Sequence, residues 1–217
     1  MANNLYQKEN LRHFAKLGDL VPEQYQAFQK FNHAVMEEGA LTKKEKEIIA
    51  VAVAHATECP YCIDVHTRNA KAAGASLEEL VEAAFVTAAI EAGGAMTHST
   101  HMQNALDQEA DDTFYRRSNL KKLANLKQWA PDGFSAFNNF SNVATKEGKL
   151  SAKLKELIAV AVAHTTECPY CIDVHTKSAQ KEGATKEELS EAILVAAALR
   201  AGGAYTHIAN MIQSYGE

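Results

Sequence analysis

Apolar residues recur at helical spacing along this chain. Between Pro22 and Gly39 they stand three and four residues apart, at Tyr25, Phe28, Phe31 and Val35. This period predicts an amphipathic helix with one buried face. Proline is favoured in the first turn of a helix and glycine just past the end, so these two residues predict its limits.

Capping-box signatures predict the starts of two further helices. Thr42 with Glu45 precedes the apolar run 48–56, and Ser76 with Glu79 precedes an alanine-rich stretch. We expect that stretch to end at Gly93 and Gly94, with another helix after the glycine pair. Residues 50–54 alternate alanine and valine, which would also suit a short strand. Their alanine content, and the lack of a second strand-like run to pair with, favour a helix.

The chain is an internal duplication. A shift of 109 positions aligns its halves without a gap, placing Cys59 on Cys168 and His98 on His207. Capping signatures recur at Ser151, where Leu154 replaces the glutamate, and at Thr185 with Glu188. We predict an all-α protein of two tandem helical repeats, residues 1–106 and 120–217, joined by a charged connector at 107–119.

The composition argues against nucleic-acid-binding and membrane-spanning functions. The 217 residues carry a net charge of −5, with 47% hydrophobic and 23% charged residues, as in ordinary globular proteins. The chain lacks the basic footprint of a nucleic-acid-binding protein, and the apolar run 48–54 is too short to span a bilayer. The first ten residues do not resemble a secretory signal, so we expect a cytosolic protein without nucleic-acid or membrane partners.

All four cysteines lie in two copies of the segment Glu-Cys-Pro-Tyr-Cys-Ile-Asp-Val-His, at 58–66 and 167–175. In a reducing compartment, paired cysteines indicate a redox or metal site. Pro60 predicts a helix start with Cys59 as its N-cap, and Pro169 does the same for Cys168. Backbone N–H groups at a helix start stabilise a thiolate, which favours Cys59 as the more acidic thiol.

Neighbouring residues could move protons at this dithiol. Cys59, Cys62 and His66 occupy one face of the predicted helix, with His66 one turn beyond Cys62. In the preceding helix, Glu47 and Glu58 are expected on one stripe, with Glu156 and Glu167 in the second copy. A buried carboxylate could orient the histidine or act as a base. Zinc is the alternative, but His55 and His66 would stand ~16 Å apart along continuous helix, too far to share one ion.

Several further histidine, tyrosine and aspartate residues are identical in the two copies, and each has a structural or a functional interpretation. His55 and His164 are candidate proton carriers or core and cap residues. His98 and His207 could line the same pocket or serve packing. Tyr61 and Tyr170 are expected as walls of the site, and Asp64 and Asp173 as solvated charges near the helix start.

The tetrapeptide Cys-Pro-Tyr-Cys resembles the glutaredoxin active site, but neither half supplies the βαβ pattern of that fold. The larger set, Glu47, Cys59, Cys62 and His66, resembles the alkylhydroperoxidase D group of the carboxymuconolactone decarboxylase-like family over most of each half. That resemblance implies an all-α peroxidase without an organic cofactor. Its site residues would be Glu47 and Glu156 as bases, Cys62 and Cys171 as attacking thiols, Cys59 and Cys168 as resolving thiols, and His66 and His175 as the relay.

The resemblance also implies partners. These are a hydroperoxide substrate, a thioredoxin-like or lipoyl-bearing reductant, and a homo-oligomer, with a trimer favoured because single-motif relatives of half this length form hexamers. Tyr61 and Tyr170 stand where some family peroxidases have a second histidine, so the relay would differ in detail. A general disulfide reductase, a lactone decarboxylase and a redox sensor remain rival functions.

Overall fold

Helices form all the regular structure of the part of the chain that the computed structural model describes, residues 6–110 and 112–216. The all-α prediction is therefore confirmed. Short 3-10 helices at Lys8–Lys16 and Arg117–Lys122 precede the two copies. The α-helices are α1 (Leu17–Leu20), α2 (Pro22–Met36), α3 (Lys43–Ala56), α4 (Pro60–Ala72), α5 (Leu77–Leu106), α6 (Leu123–Trp129), α7 (Pro131–Thr145), α8 (Ala152–Thr165), α9 (Pro169–Lys181) and α10 (Lys186–Tyr215).

The alanine–valine segments lie in the two central helices, α3 and α8. Ile49, Ala50 and Val53 of α3 have no solvent exposure, and their counterparts in α8 are equally buried. A helix that is packed on every side is apolar on every side, so the alternation carried no information about a strand. The small alanine side chains fill these positions where α3 packs against α4, α5, α8 and α10.

The predicted caps are present at the helix starts. The Thr42 and Glu45 side chains form a reciprocal capping box, as do Ser76 with Glu79 and Thr185 with Glu188. At α8, Ser151 accepts a hydrogen bond from the Leu154 N–H (3.2 Å), but Leu154 cannot return one. The cap of α8 is therefore weaker than that of α3, as the sequence predicts.

The predicted helix breaks at the glycine pairs are wrong. Both α5 and α10 continue through Gly93-Gly94 and Gly202-Gly203 as helices of 30 residues. A glycine costs a helix only about 1 kcal/mol relative to alanine, and packing along both helices outweighs that cost. By length and composition alone both helices could cross a membrane, and 39% of the most apolar window of each is buried in this fold.

The two repeats pack into each other. Helix α10 of the second repeat contacts α2, α3 and α4 of the first, and α5 of the first contacts α7, α8 and α9 of the second. The proposed limits of the repeats remain a prediction. Of the predicted connector, Asp111 lies outside the described residues, and residues 117–119 belong to the 3-10 helix Arg117–Lys122, in which Asn119 is buried.

A carboxylate from each repeat caps a loop of the other. Glu191 accepts hydrogen bonds from the N–H groups of Ala40 (2.9 Å) and Leu41 (2.8 Å) and pairs with Lys46 Nζ (3.1 Å). A Cβ atom at position 39 would meet the Glu191 carboxylate, so any other residue there would displace this side chain from its hydrogen bonds. Glu82 of the first repeat makes the corresponding contacts with the loop before α8 in the second repeat.

Candidate active site

Both dithiols lie at helix starts, as predicted. Pro60 opens α4 and Cys59 is its N-cap, with the Cys59 Sγ accepting a hydrogen bond from the Cys62 N–H (3.3 Å). Cys168 caps α9 in the same way, accepting from the Cys171 N–H (3.3 Å). Cys168 Sγ and Cys171 Sγ are 2.8 Å apart, so the two sulfur atoms of this pair are in direct contact.

A tight turn ends α3 immediately before the dithiol. The N–H of Cys59 bonds to the Ala54 carbonyl (3.2 Å) and that of Glu58 to the His55 carbonyl (3.2 Å), which is a Schellman motif. Glu58 occupies its left-handed position, with φ of 54°, and its side chain is exposed. The expected stripe shared by Glu47 and Glu58 is therefore wrong, because the helix ends at Ala56. Glu167 has the same conformation, with φ of 56°.

The two thiols of each pair have opposite acidities. The hydrogen bond from Cys62 lowers the pKa of Cys59; burial opposes this, and the Thr206 hydroxyl, the Cys62 N–H and the His207 charge lower it further, to about 5. The same hydrogen bond, burial and the Cys59 charge raise the pKa of Cys62. Cys168 likewise has a pKa of about 5, and that of Cys171 is raised. The N-cap sulfur is therefore the more acidic thiol of each pair.

Helix α3 brings a carboxylate to the histidine of α4. His66 Nδ1 donates to Glu47 Oε2 at 2.7 Å, and in the second copy His175 Nδ1 donates to Glu156 Oε2 at 2.8 Å. Glu47 is only 3% exposed, so the contact is shielded from water. The bond fixes the histidine tautomer, which leaves Nε2 free to accept a proton. A buried carboxylate–imidazole pair of this kind can act as a general base.

The two copies differ at one residue beside this pair. Asn69 Nδ2 donates to the second oxygen of Glu47, Oε1, at 3.2 Å. Ser178 stands at the corresponding position of the second copy and carries no amide. Glu47 is therefore held at both oxygens by side chains of α4.

A cavity of about 730 Å³ opens onto the first dithiol. Cys62 and His66 line it, whereas Cys59, with no exposed surface, does not. Aromatic rings also line the cavity, where Tyr205 stacks on Phe28 with ring centroids 4.3 Å apart. A substrate in this cavity would meet Cys62 before Cys59.

The second repeat also contributes a hydroxyl to the first dithiol. Thr206 Oγ1 lies 3.3 Å from Cys59 Sγ and 3.8 Å from Cys62 Sγ. In the other copy, Thr97 Oγ1 lies 3.5 Å from Cys168 Sγ and 4.0 Å from Cys171 Sγ. Each dithiol is thus covered by the long helix of the opposite repeat.

The remaining histidine candidates lie outside the Glu–His pairs. His55 Nδ1 and His164 Nδ1 each donate to a carbonyl four residues earlier, that of Val51 or Val160, at 2.8 Å. His207 Nδ1 bonds back to the Gly203 carbonyl (2.7 Å). The ring of His98 packs beside Tyr170, with centroids 6.4 Å apart. Within the described residues no cluster of three or more His, Cys, Asp or Glu side chains could hold a metal ion.

The tyrosines and aspartates of the motif connect it to the 3-10 helices Lys8–Lys16 and Arg117–Lys122. The Tyr61 hydroxyl accepts from Asn10 Nδ2 (3.2 Å), and that of Tyr170 from Asn119 Nδ2 (3.0 Å). Asp64 pairs with Lys8 (2.7 Å). Asp173 pairs with Arg117 and Lys177. Tyr61 lines the cavity at the first dithiol, and the aspartates are bridges as well as surface charges.

Sequence reasoning missed the two threonines, Asn69 and the buried asparagines. One signal could have found most of them: Thr97 and Thr206, like Asn10 and Asn119, are identical under the shift that aligns the copies. Asn69 has no such signal, because its counterpart is Ser178.

A family model for the carboxymuconolactone decarboxylase family matches residues 22–105 and again residues 131–213. The two matches cover most of the chain. This chain belongs to the carboxymuconolactone decarboxylase family. Both matched segments contain a full set of Glu, Cys-x-x-Cys and His, so the family's helical unit occurs here twice, with the candidate site residues in each.

Curated relatives of this family member match over about one repeat. Uncharacterized protein 4 in the cox locus of Paracoccus denitrificans is 56% identical over 72 residues, which is 33% of this chain and 65% of the relative. An uncharacterized protein of Cupriavidus necator is 39% identical over 75 residues, 35% of this chain and 66% of the relative. The matched segments thus span slightly less than two thirds of those relatives' lengths.

A solved structure has the same arrangement over nearly the whole chain. It is described as a gamma-carboxymuconolactone decarboxylase subunit of Burkholderia xenovorans LB400, and it superposes with a TM-score of 0.70 over 94% of this chain and 90% of its own. At 23% identity the likeness concerns the fold. The doubled architecture of this carboxymuconolactone decarboxylase family member therefore has a counterpart in a solved structure.

Proposed function

We propose that this protein is a thiol-dependent peroxidase that reduces hydroperoxides through its Cys-x-x-Cys pairs. The observation that carries the proposal is the Glu47–His66 hydrogen bond at the wall of a cavity that Cys62 also lines. It supplies a proton acceptor beside a dithiol that a small molecule can reach. The second copy has the same Glu–His bond and the same pair of thiols.

In the first step, Cys62 attacks one oxygen of the hydroperoxide. The Cys62 proton passes to the Glu47–His66 pair, a sulfur–oxygen bond forms, and the oxygen–oxygen bond breaks. The departing oxygen takes up a proton and leaves as an alcohol, or as water from hydrogen peroxide, while Cys62 becomes a sulfenic acid. Its position in the cavity favours Cys62 for this attack, although Cys59 is the more acidic thiol.

In the second step, the Cys59 thiolate attacks the sulfur of that sulfenic acid. The disulfide forms and the hydroxyl group leaves as water after protonation. The low pKa of Cys59 suits this role, because the resolving sulfur is already deprotonated. Two thiols and one hydroperoxide thus become one disulfide, one alcohol and one water. A dithiol reductant, thioredoxin-like or lipoyl-bearing, would then restore the thiols by exchange.

Thiol counting during turnover tests the proposal. One equivalent of organic hydroperoxide per dithiol should remove two free thiols per repeat. The rate of this thiol loss should fall at least ~100-fold in the double variant Glu47→Gln with Glu156→Gln, because the proton acceptor is lost. Glu187→Gln, the same substitution at an exposed position of α10, is the control for general damage. The proposal fails if hydroperoxide disappears as slowly in the parent as in a variant lacking Cys62 and Cys171.

A general disulfide reductase is the second candidate, because the acidic N-cap thiolate is typical of enzymes that exchange disulfides. The same preparations separate the two functions. Faster reduction of a small test disulfide than of hydroperoxide, lost in Cys59→Ser with Cys168→Ser, would favour the reductase. Lactone decarboxylation has no use for two paired thiols.

The assembly and location of the protein are further parts of the proposal. A chain with two repeats would form a trimer if it retained the six-repeat content that the family resemblance implies. Light scattering of the purified protein would show three chains per particle. A dithiol that must be reduced after each cycle suits the cytosol, where thiols are kept reduced.

A further inference from the structure

The hydroxyl groups of Thr206 and Thr97 reach the sulfur atoms of the opposite repeat in both copies of the site. The shorter distance in each copy leads to the N-cap sulfur, 3.3 Å for Cys59 and 3.5 Å for Cys168. The longer distances, 3.8 and 4.0 Å, lead to the second cysteine. The same placement therefore arises twice, from two different stretches of the chain.

Each hydroxyl has two alternative acceptors for its proton, the sulfur of the opposite repeat and a backbone carbonyl of its own helix. Thr206 Oγ1 also lies 3.1 Å from the Gly203 carbonyl, and Thr97 Oγ1 lies 3.1 Å from that of Gly94. A threonine has one O–H donor, so it can donate to the carbonyl or to a thiolate, but not fully to both. When Thr206 turns to sulfur, the Gly203 carbonyl keeps its bond to His207 Nδ1 at 2.7 Å.

The hydrogen bond from threonine matters for a thiolate at the N-cap sulfur because that sulfur is buried. Cys59 has no exposed surface and Cys168 is 1% exposed, so water contributes little to solvating a thiolate there. A buried charge needs donors from the protein. For Cys59 these are the Cys62 thiol, the Cys62 N–H and the Thr206 hydroxyl, with the His207 imidazole acting through its charge. Thr206 and His207 both come from the second repeat.

We propose that Thr206 and Thr97 stabilise the N-cap thiolate of the opposite repeat, so that each dithiol is completed by a residue of the other half of the chain. The thiolate concerned is the resolving thiolate of the proposed cycle, and the inference rests on the proposed function only for that role. The hydrogen bond itself requires no peroxide.

The test isolates one dithiol at a time in the full-length protein. Cys168→Ser with Cys171→Ser leaves the first dithiol, and Cys59→Ser with Cys62→Ser leaves the second. The ultraviolet absorbance of the thiolate is then followed against pH in each background, alone and with Thr206→Val or Thr97→Val. Valine matches threonine in shape and removes only the hydroxyl.

In the first background, we expect Thr206→Val to raise the thiolate midpoint from near 5 by about one pH unit, a tenfold loss in ionisation. Thr206→Ser keeps the hydroxyl and should return the midpoint to the parent value. Thr97→Val should shift the midpoint in the second background only. Thr206→Ala serves as an alternative deletion of the hydroxyl if the valine variant does not give a helical, soluble protein.

An unchanged midpoint in both Thr206→Val and Thr206→Ala would overturn the inference. So would a shift in the dithiol of the same repeat as the substituted threonine. Since no hydroperoxide is used, a protein that titrates as expected but consumes no hydroperoxide would refute the peroxidase and leave this inference standing.

Discussion

At the scale of single residues, the two thiols of the first pair differ in access to the cavity and in acidity. Cys62 lies at the cavity and has a raised pKa, whereas Cys59 is enclosed and has a lowered one. Helix-start reasoning from the sequence favoured Cys59 as the more acidic thiol, and the family resemblance implies Cys62 as the attacking thiol. Both assignments are compatible with the proposed cycle, in which access would govern the first step and acidity the second.

Asn69 provides the first prediction at this scale. Its amide holds Glu47 Oε1, so Asn69→Ser frees one side of the carboxylate and loosens the Glu47–His66 contact. With the first dithiol isolated, we expect hydroperoxide turnover to fall about 2- to 10-fold, the worth of one hydrogen bond. The measurement is the initial rate of hydroperoxide loss.

The control for this prediction lies one residue away on the exposed side of α4. Arg68→Ser removes an ion pair with Asp64 (2.7 Å) and should leave the rate unchanged. Equal losses in both variants would show that α4 is damaged in general and that Asn69 has no specific effect on Glu47.

At the scale of elements, the turn before each dithiol stores backbone strain. Glu58 and Glu167 adopt positive φ, a region that suits glycine and costs other residues roughly 1–2 kcal/mol. The two hydrogen bonds of the Schellman motif hold the residue there. The turn directs the chain from α3 into α4, and so aims the N-cap sulfur.

Glu58→Gly should therefore stabilise the protein. We expect the free energy of unfolding to rise by up to about 1 kcal/mol, because relief of the strain exceeds the greater entropy of glycine in the unfolded chain. Denaturant unfolding measures the change. Thr57→Gly, at a neighbouring position with φ of −86°, should be destabilising; a similar gain in both variants would contradict the strain argument.

Much of the element structure could be predicted from local signals. Capping boxes and prolines identify the starts of α2, α3, α4 and α5, because capping side chains bond to backbone N–H groups within one turn and proline fixes a helical φ. The helix through Gly93-Gly94 could not be predicted in this way, because packing from other helices outweighs the local cost of glycine. The position of Glu58 was missed because one left-handed residue ends the helix before the stripe can include it.

At the scale of the whole molecule, crossed contacts hold the repeats together. Glu191 of α10 binds the loop before α3, and Glu82 of α5 binds the loop before α8, with the Lys149 N–H (2.9 Å), Leu150 N–H (3.0 Å) and Lys155 Nζ (3.0 Å) as donors. These contacts, like the threonines, join residues far apart in sequence. Only the repeated identities could hint at them from the sequence.

The Glu82 and Glu191 carboxylates make the stability of the folded protein depend on pH. Burial raises the pKa of Glu82 and Glu191, but the backbone and lysine donors outweigh it and hold both below the ordinary 4.5. A lowered pKa stabilises the folded state fully above the ordinary value, and that stabilisation is lost as the pH falls through the lower folded value. Protonation of the two carboxylates should thus weaken the contact between the repeats.

Glu191→Gln tests this dependence in denaturant unfolding across pH. At pH 7 we expect a loss on the order of 2 kcal/mol, because the buried Lys46 loses its anionic partner. The difference from the parent should stay constant above pH 4.5 and shrink below it. Glu187→Gln, at an exposed position of α10, should show little difference; a loss in Glu191→Gln that persists in acid would contradict the charge argument.

The crossing threonine also has a consequence for how the protein is made. Thr206 follows Cys62 by 144 residues, and ribosomes add about 5–20 residues per second. The first dithiol therefore emerges roughly 10 s before the residue that covers it. During that interval the nascent chain carries an uncovered thiol pair, which makes it a target for cellular oxidants and for chaperones before the second half is translated.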